Sequence, residues 1–320
     1  MTKTIITAFL CFATLLGMDT INIQADTIYT SQPDSEDKYY QPFEDSFNQF
    51  NEDLQLNSNE NTITSLSMEP KKFNTVNYYY PDIWIRDVAP VITTRMVKFD
   101  YSPSYLKKSD SRYLNRQFKK FLRGRYNYSN SKLKLDGGNV QWNGSDTVVV
   151  TKQILTDNSK WSKKEIIAEL KYQLKVKHVI IISKEPGDVL GHSDGMVKFI
   201  SARKMYINDF SYEPGFLKKI KNQILSIEPK MKFVVLPSSY TDKGQYDKKI
   251  ASARGLYINM LETTSTIYFP QYGLKNDMRA MKIVQSNTNK KVVPVDVSEI
   301  STLGGSVHCL TWEVPNKFNK

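Results

Sequence analysis

One residue is singled out for chemistry by its type and setting: Cys309, in Gly304-Gly305-Ser306-Val307-His308-Cys309-Leu310-Thr311. The chain has two cysteines, and the other, Cys11, lies in an N-terminal apolar run. Once that run is removed a single thiol remains, and no internal disulfide can form. Two readings are open for it. A buried cysteine serves as a small apolar residue. A cysteine beside paired glycines can instead be presented to a pocket, because glycine lets backbone turn sharply and approach a ligand. Of the three histidines, His178 opens an apolar strand pattern and reads as structural. His308 adjoins Cys309; neighbours on a strand face opposite ways, so His308 is expected to be a poor partner for the thiol. His192 lies in a Gly-flanked loop, two positions before Asp194. In extended backbone these two share a side, giving a proton shuttle or a cation clamp; the same residue types also make a plain polar turn.

Carboxylates recur beside aromatic residues and glycines. In Asp82-Ile83-Trp84-Ile85-Arg86-Asp87, read as extended, Trp84 and Arg86 share one face and Asp87 the other. A carboxylate next to an indole can hold a flat cation; a surface Arg–Asp pair beside a core Trp is the alternative. In Asp136-Gly137-Gly138-Asn139 the Asp-Gly step is a hairpin-turn signal. Its functional reading has the glycines bring backbone, with Asn139, against a substrate that Asp136 faces. Several carboxylates around one nucleophile repel an anionic substrate and suit a cationic one. A guanidinium fits, being planar and rich in N–H donors. Metal-ligand spacing and a phosphate-cradling loop are both missing from the sequence, so neither metal nor cofactor is expected.

These residues need a scaffold, and the apolar pattern outlines one. Strands are predicted at 88–94, 147–151, 178–182, 195–201, 204–208, 232–236, 256–261, 266–270 and 291–295. Helices are predicted at 109–123, 162–174, 215–226 and 277–285, the second opened by Ser162 with Glu165 three residues on. The alternation predicts an α/β fold. A weakly recurring unit of two strands, a helix and a strand hints at a closed, propeller-like ring, although a doubly wound sheet would show a similar rhythm.

At 320 residues, 40% hydrophobic and 12% aromatic, the chain is that of a globular protein. Its net charge of +11 reads as a solvated basic surface or as attraction to an acidic cell-envelope polymer. Nucleic acid is not an expected partner, since no zinc finger, RNA-binding signature or dense basic helix occurs. One lysine and an apolar run at the N-terminus predict a secretory signal over 1–25, with Ala25 at the cleavage point. The protein is thus expected to be secreted or held in the envelope, touching a membrane only through an uncleaved signal. Residues 26–60 are polar and predict a leader or linker, and 61–320 the catalytic domain.

Together, four stretches resemble the agmatine deiminase and bacterial peptidylarginine deiminase family of guanidine-modifying enzymes. They are Trp84, Arg86, Asp87 and Pro90; Asp136-Gly137-Gly138; Gly191, His192 and Asp194; and the run from Gly304 to Thr311. Order and spacing agree over roughly residues 77–315. The resemblance implies a five-bladed α/β propeller of ββαβ-type repeats, with the site in its central well. It implies hydrolysis of a guanidinium to a ureido group and ammonia, agmatine giving N-carbamoylputrescine. Cys309 would attack the guanidinium carbon and His192 would shuttle protons. Asp87 and Asp194 would grip the nitrogens, Asp136 would orient His192, and Trp84, Gly304, Gly305 and Asn139 would line the substrate. Asp136 stands where the family usually has Glu, Ala89 where it has Gly, and the part before residue 77 is short and polar. Export favours an arginyl peptide or protein, converted to citrulline, as the alternative substrate. A degenerate, non-enzymatic envelope-binding protein is a second alternative. A papain-like peptidase fits worse, lacking the local setting of that nucleophile.

Overall fold

The computed structural model describes residues 25–58, 61–239, 241 and 243–319. Residues 1–24, with Cys11 and nearly all of the expected export signal, lie outside them.

The first unit opens with strand β1 (Thr27–Ser31), helix α1 (Glu44–Leu56) and strands β2 (Thr62–Ser67) and β3 (Thr75–Asn77). A single helical turn, α2 (Ile85–Val88), leads into β4 (Val91–Ile92), β5 (Met96–Asp100), α3 (Lys108–Leu122) and β6 (Ser129–Lys134). The third unit holds β7 (Gln141–Trp142), β8 (Thr147–Thr151), α4 (Gln153–Asp157), α5 (Lys163–Leu174) and β9 (His178–Ile182). The fourth holds β10 (Val197–Ser201), β11 (Lys204–Asn208), α6 (Phe216–Leu225) and β12 (Lys232–Leu236). The fifth holds β13 (Leu261–Glu262), β14 (Thr266–Gln271), α7 (Asp277–Gln285) and β15 (Lys291–Asp296), and the last strand is β16 (Trp312–Val314).

These strands form five separate sheets, four of three strands and one of four. A doubly wound fold would have one continuous sheet. In units two to five, a short antiparallel pair is followed by a helix and a parallel third strand. A parallel neighbour needs such a crossover, because its strand must start at the same end. The remaining sheet follows the same plan with its first strand supplied by the C-terminus. There β16 runs antiparallel to β1, Thr27 opposite Val314, and β1 continues through α1 to parallel β2.

Within the polar stretch, residues 26–58 are therefore part of the fold and not a leader. Phe43, Phe47, Phe50 and Leu54 are buried in the main core; the last three lie on one face of α1 at near-helical spacing. Burying each such side chain contributes about 1.5–3 kcal/mol. Trp312 closes the seam between the chain ends. It is fully buried, stacks on Tyr29 at 5.5 Å and donates its indole N–H to the Pro90 carbonyl at 3.0 Å.

Two predicted strands are corrected. Residues 85–88 form the turn α2, leaving only Val91–Ile92 as strand, so Trp84, Arg86 and Asp87 do not alternate as on a strand. Residues 256–260 form turns before a two-residue strand. The predicted hairpin at Asp136-Gly137 is a 3-10 turn, Gly137–Asn139, joining β6 to β7 in a different sheet.

Candidate active site

Each connection from one sheet to the next carries a polar residue to a common place. Asp87 comes from α2, between β3 and β4, and Asp136 from the link between β6 and β7. His192 and Asp194 come from the link between β9 and β10, Asn259 from that before β13, and Cys309 from that before β16. Loops over a rigid sheet framework are well suited to hold reactive groups.

Gly138 shows how tightly they converge. A Cβ built there would lie 2.7 Å from Asp87 Oδ1, 2.8 Å from His192 Nδ1 and 3.1 Å from Asp194 Oδ2. Only a hydrogen leaves room for all three groups. The Gly138 N–H donates to Asp87 Oδ1 at 3.1 Å, and its carbonyl accepts from the Asp194 N–H at 3.1 Å. Asp194 Oδ2 in turn lies 3.7 Å from Cys309 Sγ. His192 Nε2 is 3.1 Å from Asp136 Oδ2, and its Nδ1 is 3.7 Å from Asp87 Oδ1. With Nε2–H given to Asp136, Nδ1 is the nitrogen turned toward the other carboxylates. Asp136, though one methylene shorter than Glu, reaches the imidazole.

Cys309, His192 and Asp194 share the lining of a cavity of about 250 Å³ with Gly304, Gly305 and Asn259. Cys309 is only 8% exposed. Trp84 packs on Gly305, where a Cβ would meet its ring at 2.2 Å. Asn139 sits beside Gly138 in the same 3-10 turn. It is buried and its Oδ1 accepts the Thr151 N–H at 2.8 Å, bracing β8.

One neighbour of the thiol escaped the sequence reading. Asn259 Nδ2 donates to Cys309 Sγ at 3.3 Å, and its Oδ1 accepts the Cys309 N–H at 3.4 Å. A clue lay in the repeat: the link between the fourth and fifth units was the one with no nominated residue. His308 does not bond the thiol, but its Nδ1–H donates to Asp194 Oδ2 at 2.7 Å. The segment around Cys309 is a turn and not a strand, so opposite-face reasoning did not apply.

The electrostatics follow from burial and three clustered carboxylates. Burial pushes the Asp87 carboxyl up, with His192 opposing and Asp136 and Asp194 adding. For His192, burial disfavours the charge, but Asp87, Asp136 and Asp194 outweigh it, and the imidazole is held well above its ordinary value. Burial also acts to raise Asp194, yet His308 and the nearby cations leave it below the usual carboxylate range. His308 itself is pulled down to about 3 by burial and by Arg86, so it donates as a neutral ring. Burial, then Asp194 and Asp87, push the Cys309 thiol well up. The free site is an imidazolium and a protonated thiol facing surplus negative charge, a setting that draws in a cation.

The fold is one found among agmatine deiminases of known structure. The TM-score is 0.76 with the agmatine deiminase of C. jejuni, at 18% identity over 92% of this chain and 94% of that one. With the agmatine deiminase of Enterococcus faecalis it is 0.73, again at 18% identity over 92% and 94%. Among curated sequences, the "Putative agmatine deiminase" of Streptococcus mutans is 26% identical over 221 residues, covering 61% of this chain and 60% of that protein. The chain thus spans about 60% of the length of the curated relatives it matches. A sequence model of the Porphyromonas-type peptidyl-arginine deiminases matches residues 24–315, and the chain belongs to that family.

Proposed function

We propose that the protein is a guanidine deiminase acting on agmatine or a closely similar small guanidine. The observation that carries this reading is the convergence of Asp87, His192 and Asp194 on one point beside the Cys309 sulfur. A guanidinium held there by Asp87 and Asp194 brings a positive charge to the buried thiol and favours loss of its proton to solvent, leaving a thiolate beside the imidazolium. Cys309 Sγ then bonds to the guanidinium carbon, giving a tetrahedral adduct. The His192 imidazolium protonates one nitrogen, the C–N bond breaks and ammonia leaves. A covalent amidino-enzyme remains on sulfur. Neutral His192 takes a proton from water as the water oxygen attacks the same carbon. Collapse expels the Cys309 thiolate and releases the ureido product. Asp136 keeps the imidazole turned the right way throughout.

The cavity supports a small substrate with a cationic tail. About 250 Å³ falls just below the range of small-molecule sites, roughly 300–1,000 Å³, and gives little room for a peptide backbone. Leu190, Ile250 and Leu256 offer an apolar wall for an alkyl chain, and Glu185 and Asp188 add carboxylates to the lining. Burial and Asp188 push Glu185 up to about 8, as for a carboxyl lacking a cation. A distal ammonium would supply that cation, whereas the carboxylate of free arginine would be repelled.

The same reading includes a five-bladed closed ring. The seam between β1 and β16 supports it, as does a second cavity lined by residues of all five leading strands, β4, β7, β10, β13 and β16. It also includes export, with the basic body held near acidic envelope polymers; cell fractionation checks that part. The test of the activity is release of ammonia and ureido product from agmatine, free arginine and arginyl peptides, with Cys309→Ala as control. Agmatine is expected to be turned over best; no turnover of any of them by the wild-type protein would sink the reading.

A further inference from the structure

Behind the thiol lies a second cavity, of about 470 Å³, that the reaction does not use. His308 and Arg86 form the wall between the two. His308 lines the rear cavity while its Nδ1–H reaches Asp194 on the front side. The Arg86 N–H bonds the Cys309 carbonyl, and its Nε–H donates to the His308 carbonyl at 3.3 Å.

Two cationic side chains lining this space carry N–H groups without an acceptor among the described residues. Arg86 Nη2 is buried with no hydrogen-bond partner among the described residues. Lys198, on β10, is 8% exposed and has no hydrogen-bond or ion-pair partner among the described residues. Lys198 lines the cavity together with Glu262, Arg86, Glu313 and Lys290, the residues whose charges act on it. The wall also carries acids, and they leave a positive surplus. Glu262 is already paired with Lys290 at 2.8 Å. Glu313 is shared between Arg86 and Lys198, with Glu262 also acting on Lys198 and Asp194 on Arg86, and burial pushes the Glu313 carboxyl up to about 7. Cationic N–H groups enclosed without a full set of acceptors are costly unless an anion meets them.

We propose that the rear cavity is a binding site for a small oxyanion of the phosphate type, held by Arg86 and Lys198. Arg86 offers a planar N–H donor set and Lys198 a point charge, the pairing that suits such an ion. The volume leaves space beyond a free phosphate, enough for a short phosphomonoester. The proposal does not depend on the deiminase reading, since binding is measured without turnover.

Calorimetric titration of the full-length protein with inorganic phosphate, and separately with glycerol phosphate, distinguishes the free ion from the ester. Sodium chloride of matched ionic strength is the control. One site per chain is expected. Lys198→Met is expected to weaken binding by about tenfold or more, the effect of losing a charge-assisted hydrogen bond. Lys198→Arg should stay within a few-fold of wild type, and Glu313→Gln should bind more tightly because the competing carboxylate is gone. No saturable heat beyond the chloride control in wild type, or unchanged affinity in a folded Lys198→Met protein, overturns the proposal. Circular dichroism reports folding; if Lys198→Met does not fold, Glu313→Gln decides, tighter binding supporting the site and unchanged binding overturning it.

Discussion

The two cavities stand back to back across His308 and Arg86 and carry opposite charge. The front one gathers Asp87, Asp136 and Asp194 around one imidazole and one thiol. The rear one gathers Arg86, Lys198 and Lys290 against Glu262 and Glu313. The net charge of +11 describes neither. A basic sequence here encloses an acidic site, because side chains fixed by the inter-sheet links, and not the sum over the surface, set the local field. His308 is where the two meet: neutral between Asp194 on one side and Arg86 on the other, it keeps the opposing charges apart.

The difference is most sharply broken by removing the sulfur. Cys309→Ala should lower deimination by about 10⁴-fold or more while rear phosphate binding stays at the wild-type level. Loss of both would mean that the two spaces are one structural unit. Next comes Asp136→Asn, which leaves the Nε2 bond without its charge and disturbs the tautomer of His192. A fall in kcat of about 10²–10⁴-fold, with a smaller change in KM, is expected. Gly138→Ala drives a methyl into the point where Asp87, His192 and Asp194 converge. The displacement should cost about 10²-fold in kcat/KM and about 1–3 kcal/mol in stability from overpacking, read by denaturant unfolding.

These positions also show what was legible in the sequence. Ser162 and Glu165 form the expected capping box, with both reciprocal hydrogen bonds made. Strands 147–151, 178–182 and 204–208 fall where the short apolar runs put them. Such elements are written locally, in a few adjacent residues. The turn at Ile85–Val88 was not, because four residues are too few to show helical period and its apolar–polar order imitates a strand. Helix α1 was hidden by averaging: the apolar stripe Phe43, Phe47, Phe50, Leu54 is present, but the surrounding Asp, Glu, Asn and Gln dominate the composition. The thiol, the histidine and the carboxylates could be nominated by type. Asn259, fifty positions from Cys309, could be linked to it only through the fold. Lys198 was invisible for the same reason: nothing in Val197–Ser201 says that a lysine there faces an enclosed space.

A smaller effect separates the charge of the front cavity from its shape. Since burial and two carboxylates raise the Cys309 thiol, its thiolate is scarce at neutral pH. Iodoacetamide, which is neutral, should alkylate it more slowly than it does free cysteine at pH 7, with a rate still climbing beyond the ordinary cysteine range. A cationic haloacetamidine should react faster than the neutral reagent at the same pH, because it brings the missing charge. Equal rates for the two would show that the carboxylates do not act on the sulfur. The smallest expected effect is of Lys198→Met on agmatine turnover in the absence of phosphate, within about threefold of wild type, since the residue faces away from the guanidinium clamp.

The account turns on a carbon–sulfur bond to Cys309, and acid-quenched intact-mass spectrometry during turnover of agmatine looks for it directly. The predicted result is an amidino adduct that maps to Cys309, disappears when substrate is exhausted and accompanies equimolar ammonia and N-carbamoylputrescine. Product formed at an undiminished rate by Cys309→Ala, with no adduct on the wild-type protein, would contradict it.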